Sequence, residues 1–300
     1  MRVPNSIIYR TTLNELNDIA EDNNRLTLQA GTGLRINKPS DDPTAAVRSL
    51  RLRREMAQQQ TAQTSLASGL DDLRATELAI DDTIQLLQRA KELGIEVANG
   101  AHMGAGFDAI AEEADQLLQA MVSVANRQAG GRSLFGGTLT TTPPYTTTGQ
   151  PFTAVTFTGN TERRYVSPAP GVEVTTALPG SQAFSDGGTG DVFAALMALR
   201  DAARSHDIDA LAGDVATRLN AGFDLMIRQQ AWVGSATSTL ERSVETMEQT
   251  LANTQQSLSE TEDADLTETL VQLKVNENRQ QAALQVASRV QQRTLFDMMA

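Results

Sequence analysis

Near the start of this chain, apolar side chains recur at alternating steps of three and four. The series is Tyr9, Leu16, Ile19, Leu26 and Ala30, with Thr12 and Asn23 as polar members of the same register. That spacing draws one narrow stripe along a helix. A stripe so thin cannot enclose itself, so the helix needs a partner. Gly31-Thr32-Gly33 stops it, and after a short connector Asp42-Pro43 starts the next helix, with Asp42 as N-cap and Pro43 in the first turn.

The same rhythm returns throughout the chain. From Pro43 to about Asn99, Leu52, Met56, Leu66, Leu70, Leu73, Ile80, Ile84 and Leu87 lie on one stripe, interrupted by Gln59, Gln63 and Glu77. Such a helix would reach about 80 Å. A break at Asn99–Gly106 precedes a third helix through Phe107, Ile110, Ala114, Leu117, Met121 and Val124, expected to end at Gly130-Gly131. After Asp191, segments from Val192 to His206 and from Ile208 to Ser257 resume the pattern; the second carries Val233, Leu240, Val244, Met247, Leu251 and Leu258. Glu260 to Asp265 mark a break, and Leu266, Leu270, Leu273, Leu284 and Ala287, followed by Leu295 and Phe296, carry a last helix.

Residues 138–190 differ in kind. They are rich in Thr, Gly and Pro and contain short alternating runs, Phe152–Phe157 and Val172–Val174, which predict strands with turns at Thr158-Gly159-Asn160 and Pro170-Gly171. The expected fold is therefore mainly α: a long antiparallel helical bundle made by the N- and C-terminal segments, with one small inserted β domain. The expected division is 1–42 with 266–300 as terminal coiled-coil arms, 43–137 with 191–265 as the bundle core, and 138–190 as the insert.

Composition narrows the function classes. A net charge of −12 and a pI near 4.7 disfavour nucleic acid and anionic membrane as partners, because both require concentrated Lys and Arg. The one tight basic cluster, Arg48, Arg51, Arg53 and Arg54, spreads over more than one helix face and reads as solvated surface. The chain has no Cys, which excludes disulfides and thiolate metal sites. The first residues lack the apolar stretch and small-residue cleavage site of a secretory signal peptide, so export would need another route. The residue patterns call for no cofactor and no metal.

Catalytic patterns are missing too. The two histidines, His102 and His206, stand apart, and neither H-E-x-x-H nor G-x-S-x-G occurs. Asp42 reads as a helix N-cap, and Asp41 is expected to pair with Arg35. The Gly pairs at 130–131 and 136–137 serve chain reversal, since no strand–loop–helix with a following Lys surrounds them.

Four stretches, in order, resemble the flagellin family. Gly33–Pro43 (GLRINKPSDDP) is similar to its G-x-R-I-N-x-x-x-D-D segment. Leu87–Leu93 (LQRAKEL), followed by Ala98-Asn99-Gly100, resembles its L-Q-R-x-R-E-L and A-N-G segment. Gly131–Gly137 (GRSLFGG) resembles its G-R-Y-L-F-G-G stretch. Gln281–Val286 and Thr294–Ala300 resemble the C-terminal ending of the family's junction-type members, and the Asn-Lys-Pro-Ser-Asp-Asp-Pro form does likewise.

The resemblance implies a structural subunit of the bacterial flagellum, joining hook to filament by axial self-assembly of its terminal helices. It implies partners: copies of itself in a ring, a neighbouring junction protein, flagellin, an export chaperone and the flagellar export apparatus. It implies an extracellular location after export unfolded. The assembly interface is expected at Leu16, Ile19, Leu26, Leu270, Leu273, Leu284, Leu295 and Phe296, with Gly33, Asp42 and Pro43 shaping the turn. The alternative is flagellin itself, the major filament subunit; an enzyme or a cytosolic coiled-coil adaptor fits fewer features.

Overall fold

The computed structural model describes residues 5–98, 105–169 and 172–299. The helices are α1 (Asn5–Thr32), α2 (Pro43–Ala98), α3 (Ala105–Ala125), α4 (Gly180–Ala183), α5 (Val192–Arg204), α6 (Ile208–Ala210), α7 (Ala216–Glu262) and α8 (Leu266–Met299). A π-helical turn, Leu211–Val215, joins α6 to α7. The strands, β1 (Gln128–Ala129) to β6 (Val172–Thr175), lie between α3 and α4. The predicted break at 99–106 falls largely outside the described residues, as does His102, and so does the predicted turn at Pro170-Gly171.

The chain divides into two compact units, 1–58 with 250–300 and 59–249, and α2 and α7 each contribute to both. In the first unit α1 packs on α8. In the second, α3 packs on α5, and α2 and α7 run antiparallel. That direction is read from Arg74 on Glu241 at 3.1 Å and from Gln230 Nε2 donating to Asp81 Oδ1 at 2.6 Å.

The core of the second unit is built from the stripes. Leu66, Leu73, Ile80 and Leu87 of α2 are buried with Phe107, Ile110, Ala114 and Met121 of α3, Leu196 and Leu199 of α5, and Val233 and Leu240 of α7. Burying each large aliphatic side chain contributes about 1.5–3 kcal/mol. On α3 the buried face is wider than the predicted seam: Leu118 is buried and Leu117 only partly so. Asp191 caps α5, its Oδ1 accepting from the N–H groups of Phe193 and Ala194.

The β segment differs from its prediction in two places. Gly130-Gly131 does not end α3, which stops at Ala125. The pair turns a two-residue hairpin between β1 and β2 (Arg132–Ser133), with φ +56° and +76°, values that suit a residue without a Cβ. Thr158–Asn160 is not a hairpin turn either. β4 (Ala154–Phe157) pairs backward with β3 (Tyr145–Thr148), and 158–160 leads on to β5 (Tyr165–Ala169), which pairs with β6. Among the described residues the three sheets are two-stranded and antiparallel.

Such ribbons are marginal alone. These share the helical core: Tyr145, Val174 and Phe184 belong to the same buried cluster as Phe193 of α5. Tyr145 stands 4.8 Å from Phe193, and Phe135 stands 4.8 Å from Phe184 in an edge-to-face pair. Burial pushes the Tyr145 phenol well above its usual range, with the charge of Asp191 adding to the shift.

Two of the family-like stretches take part in this unit. Leu87, Ala90 and Leu93 are buried, while Arg89 reaches Glu113 on α3 at 2.6 Å and Glu92 at 3.2 Å. Leu134 and Phe135 of the GRSLFGG stretch are core residues.

Candidate assembly interface

Helices α1 and α8 form an antiparallel pair. On α1 the side turned inward follows the predicted stripe: Leu26 is 3% exposed, and Leu16, Ile19 and Asn23 are half-buried. On α8 the inward side differs from the prediction. It runs through Thr269, Leu273, Asn276, Gln280, Ala283 and Ala287, which are buried or half-buried. Asn23 Nδ2 donates to Gln280 Oε1 at 3.0 Å across the pair.

The predicted leucines therefore divide. Leu273 belongs to the seam, whereas Leu270 and Leu284 are 56% and 53% exposed. Leu266, Val271, Val275 and Val286 of α8 are exposed as well. The side chains of Leu295 and Phe296 lie outside the described ones. With α1 in place, α8 still carries apolar side chains facing water.

The bases of α1 and α8 are tied to the ends of their neighbours. Gly33 ends α1 with φ +74°, its N–H donating to the Gln29 carbonyl at 2.9 Å. Leu34 and Asp263 then form an antiparallel bridge. Around it Arg35 N–H donates to Glu262 O at 2.7 Å, and Ala264 N–H donates to Gly33 O at 2.9 Å. The Arg35 guanidinium donates from Nη2 to Thr261 O at 2.7 Å. Arg53 grips the buried Glu262 carboxylate with two bonds, Nη2 to Oε1 at 2.7 Å and Nε to Oε2 at 3.1 Å. This Arg belongs to the cluster read as solvated surface, and all four of its residues, Arg48, Arg51, Arg53 and Arg54, are exposed, Arg53 while also holding Glu262.

The connector holds itself in shape. Asp42 Oδ1 accepts from Ala45 N–H at 2.9 Å, and Pro43 opens α2. The Ala45 bond and the Arg35 guanidinium together hold the Asp42 carboxyl below its ordinary value. Arg35 meets Asp42 at 3.3 Å, not Asp41 as the sequence reading expected. Asp41 is instead occupied by the backbone: its Oδ2 accepts from Asn37 and Lys38 N–H at 3.0 and 2.8 Å. Asp265 caps α8, accepting from Thr267 and Glu268 N–H. Asp263 accepts from Ser259 Oγ.

Sequence reasoning missed Arg53, Glu262, Asp265 and the polar seam of α8. Asp265 carried a usable signal, an Asp just before an apolar periodic run. The Arg53–Glu262 pair carried none, since it joins residues far apart in the chain.

The described residues hold no cluster of His, Cys, Asp and Glu fit for a metal, and none of the described helices is long and apolar enough to cross a membrane. His206 is exposed at φ +55°, its ring edge-on to Phe107 at 4.8 Å.

Terminal helices that pair with one another, a helical core and a small β-rich insert define a flagellin-like helical protein. The chain belongs to the flagellin family: residues 3–140 match the bacterial flagellin N-terminal helical region and residues 222–298 the C-terminal helical region. Flagellin FlaB1 of Treponema pallidum (strain Nichols) is 29% identical over 107 residues, 35% of this chain and 37% of that protein. The chain spans less than half the length of the curated relatives it matches. Among solved structures, flagellar hook associated protein-3 of Legionella pneumophila has the same fold. Its TM-score is 0.62 at 11% identity, over 70% of this chain and 97% of that one. The flagellar junction protein FlgL from the same organism aligns with TM-score 0.56 at 11% identity, over 63% and 98%.

Proposed function

We propose that the chain is a structural, non-enzymatic subunit of the bacterial flagellum, of the junction type that joins hook to filament. The observation that carries this reading is the outer side of α8: Leu270 and Leu284 stay exposed although α8 is already paired with α1. Side chains of that kind gain burial when copies pack together. Under this reading Leu16, Ile19, Leu26 and Leu273 hold the arms together, and Leu270, Leu284, Leu295 and Phe296 meet neighbouring subunits. Residues 1–42 with 266–300 act as assembly arms, 43–137 with 191–265 as the core, and 138–190 as the outward part.

Copies of the chain would form a ring, with a second junction protein on one side and flagellin on the other. A chaperone would cover the C-terminal arm before export, and the mature location would be the extracellular flagellum. The solved structures with this fold include proteins described as hook-associated and junction proteins, which supports the junction type.

Deleting the gene tests the reading. The expected picture by electron microscopy is bare hooks with filament protein released to the medium. Normal filaments would overturn it. The family matches to flagellins support a second reading, the major filament subunit. Copy number separates the two: a single ring per flagellum against the bulk of the filament.

A further inference from the structure

The GLRINKPSDDP stretch has a role that self-assembly does not explain. An α-helix ends with carbonyls that lack partners within the helix. For α7, two of them, Thr261 O and Glu262 O, are satisfied by Arg35, one by its guanidinium and one by its N–H. The relation is mutual, because Gly33 O, just past the end of α1, accepts from Ala264 N–H. The end of α7 is thus completed by the connector, and the chain just past each helix bonds to the other. Gln29 Nε2, from the last turns of α1, donates to Arg35 O at 2.7 Å, which fastens the connector to α1. Arg53 on α2 fastens the other side through Glu262.

The pairing of the arms needs such a device. Half of the α8 seam is polar, and a seam of that make-up specifies alignment at a cost in stability. The paired residues are also distant in sequence, 257 apart for Asn23 and Gln280. Closing a loop of that length opposes pairing unless the bases are already joined.

We propose that residues 33–42, closed on residues 261–264, form a latch that couples the two arms. While it is shut, α1 and α8 stand side by side; when it opens, both are released together. The latch acts within one chain and does not depend on what the outer leucines of α8 bind.

Hydrogen exchange on the purified full-length chain tests this without any assembly step. In Arg35→Ala, protection across 13–32 and 266–288 is expected to fall together by roughly tenfold or more, the effect of losing hydrogen bonds made by a charged donor. Protection across α3 and α5 is expected to stay unchanged. Glu262→Gln, which spares the backbone bonds, is expected to give a smaller loss in the same two stretches.

Leu34→Cys with Asp263→Cys supplies the control. Antiparallel partners lie about 4.5–5.5 Å apart, within disulfide range, and the chain has no other Cys to compete. In the Arg35→Ala background the oxidised pair is expected to restore protection to both arms, and reductant to remove it. Loss in one arm alone, loss in neither, loss that extends to α3 and α5, or failure of the disulfide to restore protection would each overturn the proposal.

Discussion

Arg200 and Asp115 form an ion pair inside the second unit, Nη1 to Oδ1 at 3.2 Å, with side-chain exposures of 5% and 9%. The same guanidinium donates to the Phe152 carbonyl at 2.6 Å and through Nε to Asp201 at 2.8 Å. A cation buried between α3 and α5 thus also holds the chain just before β4. It anchors the β segment to the helices in a way the apolar cluster alone does not.

Removing that cation strands a buried carboxylate. Arg200→Met is expected to cost about 3–5 kcal/mol, and adding Asp115→Leu to recover much of it. Thermal unfolding of the two variants checks the order: the double variant should melt above the single one.

On the arms the cost of substitution should follow exposure. Leu270→Ser with Leu284→Ser changes side chains that face water, so the monomer should keep its stability to within about 0.5 kcal/mol per site. Attachment of filaments should nevertheless be lost. Leu26→Ala, on the buried seam, should cost about 2–5 kcal/mol. Calorimetry on purified protein, paired with a motility assay, separates the two kinds of effect.

Gly180 is closed in by rings. A Cβ there would lie 2.9 Å from atoms of both Phe157 and Tyr145, and the Gly180 N–H donates to Phe135 O at 2.7 Å. Gly180→Ala is therefore expected to destabilise by about 1–3 kcal/mol through overpacking. A denaturant midpoint that equals that of the parent chain would contradict it.

Asp42 gives the connector an acid dependence. Its folded-state carboxyl sits below the ordinary 3.8, so its charge stabilises the fold above that value and the benefit is lost as pH falls through the folded value. The advantage of the parent chain over Asp42→Asn should hold steady near neutrality and vanish in the acid range below 3.8. Thermal midpoints of both proteins across that range measure it.

Much of the helical layout was legible because helices are local. The stripe from Leu66 to Leu87 and the stop at Gly33 both follow from neighbours a few residues away. Strand pairing was less legible. Tyr145–Thr148 lies in a Thr-rich run with little alternation, and its partner is fixed by the shared aromatic core around Phe184. The α8 seam was less legible for a related reason: the leucines mark an apolar side, yet the side chosen by α1 holds Thr269 and Asn276. Arg35 took Asp42 because the Asn37 and Lys38 amides had already claimed Asp41.

The amides between the arms have one more effect. A seam of leucines alone would let two helices slide past each other by a turn at little expense. Here a slide toward the chain end would set Asn23 against Ala283, stranding a donor where nothing accepts it. The strip works like a vernier scale: the Asn23–Gln280 bond marks the alignment in which the outer leucines of α8 stand at a fixed height.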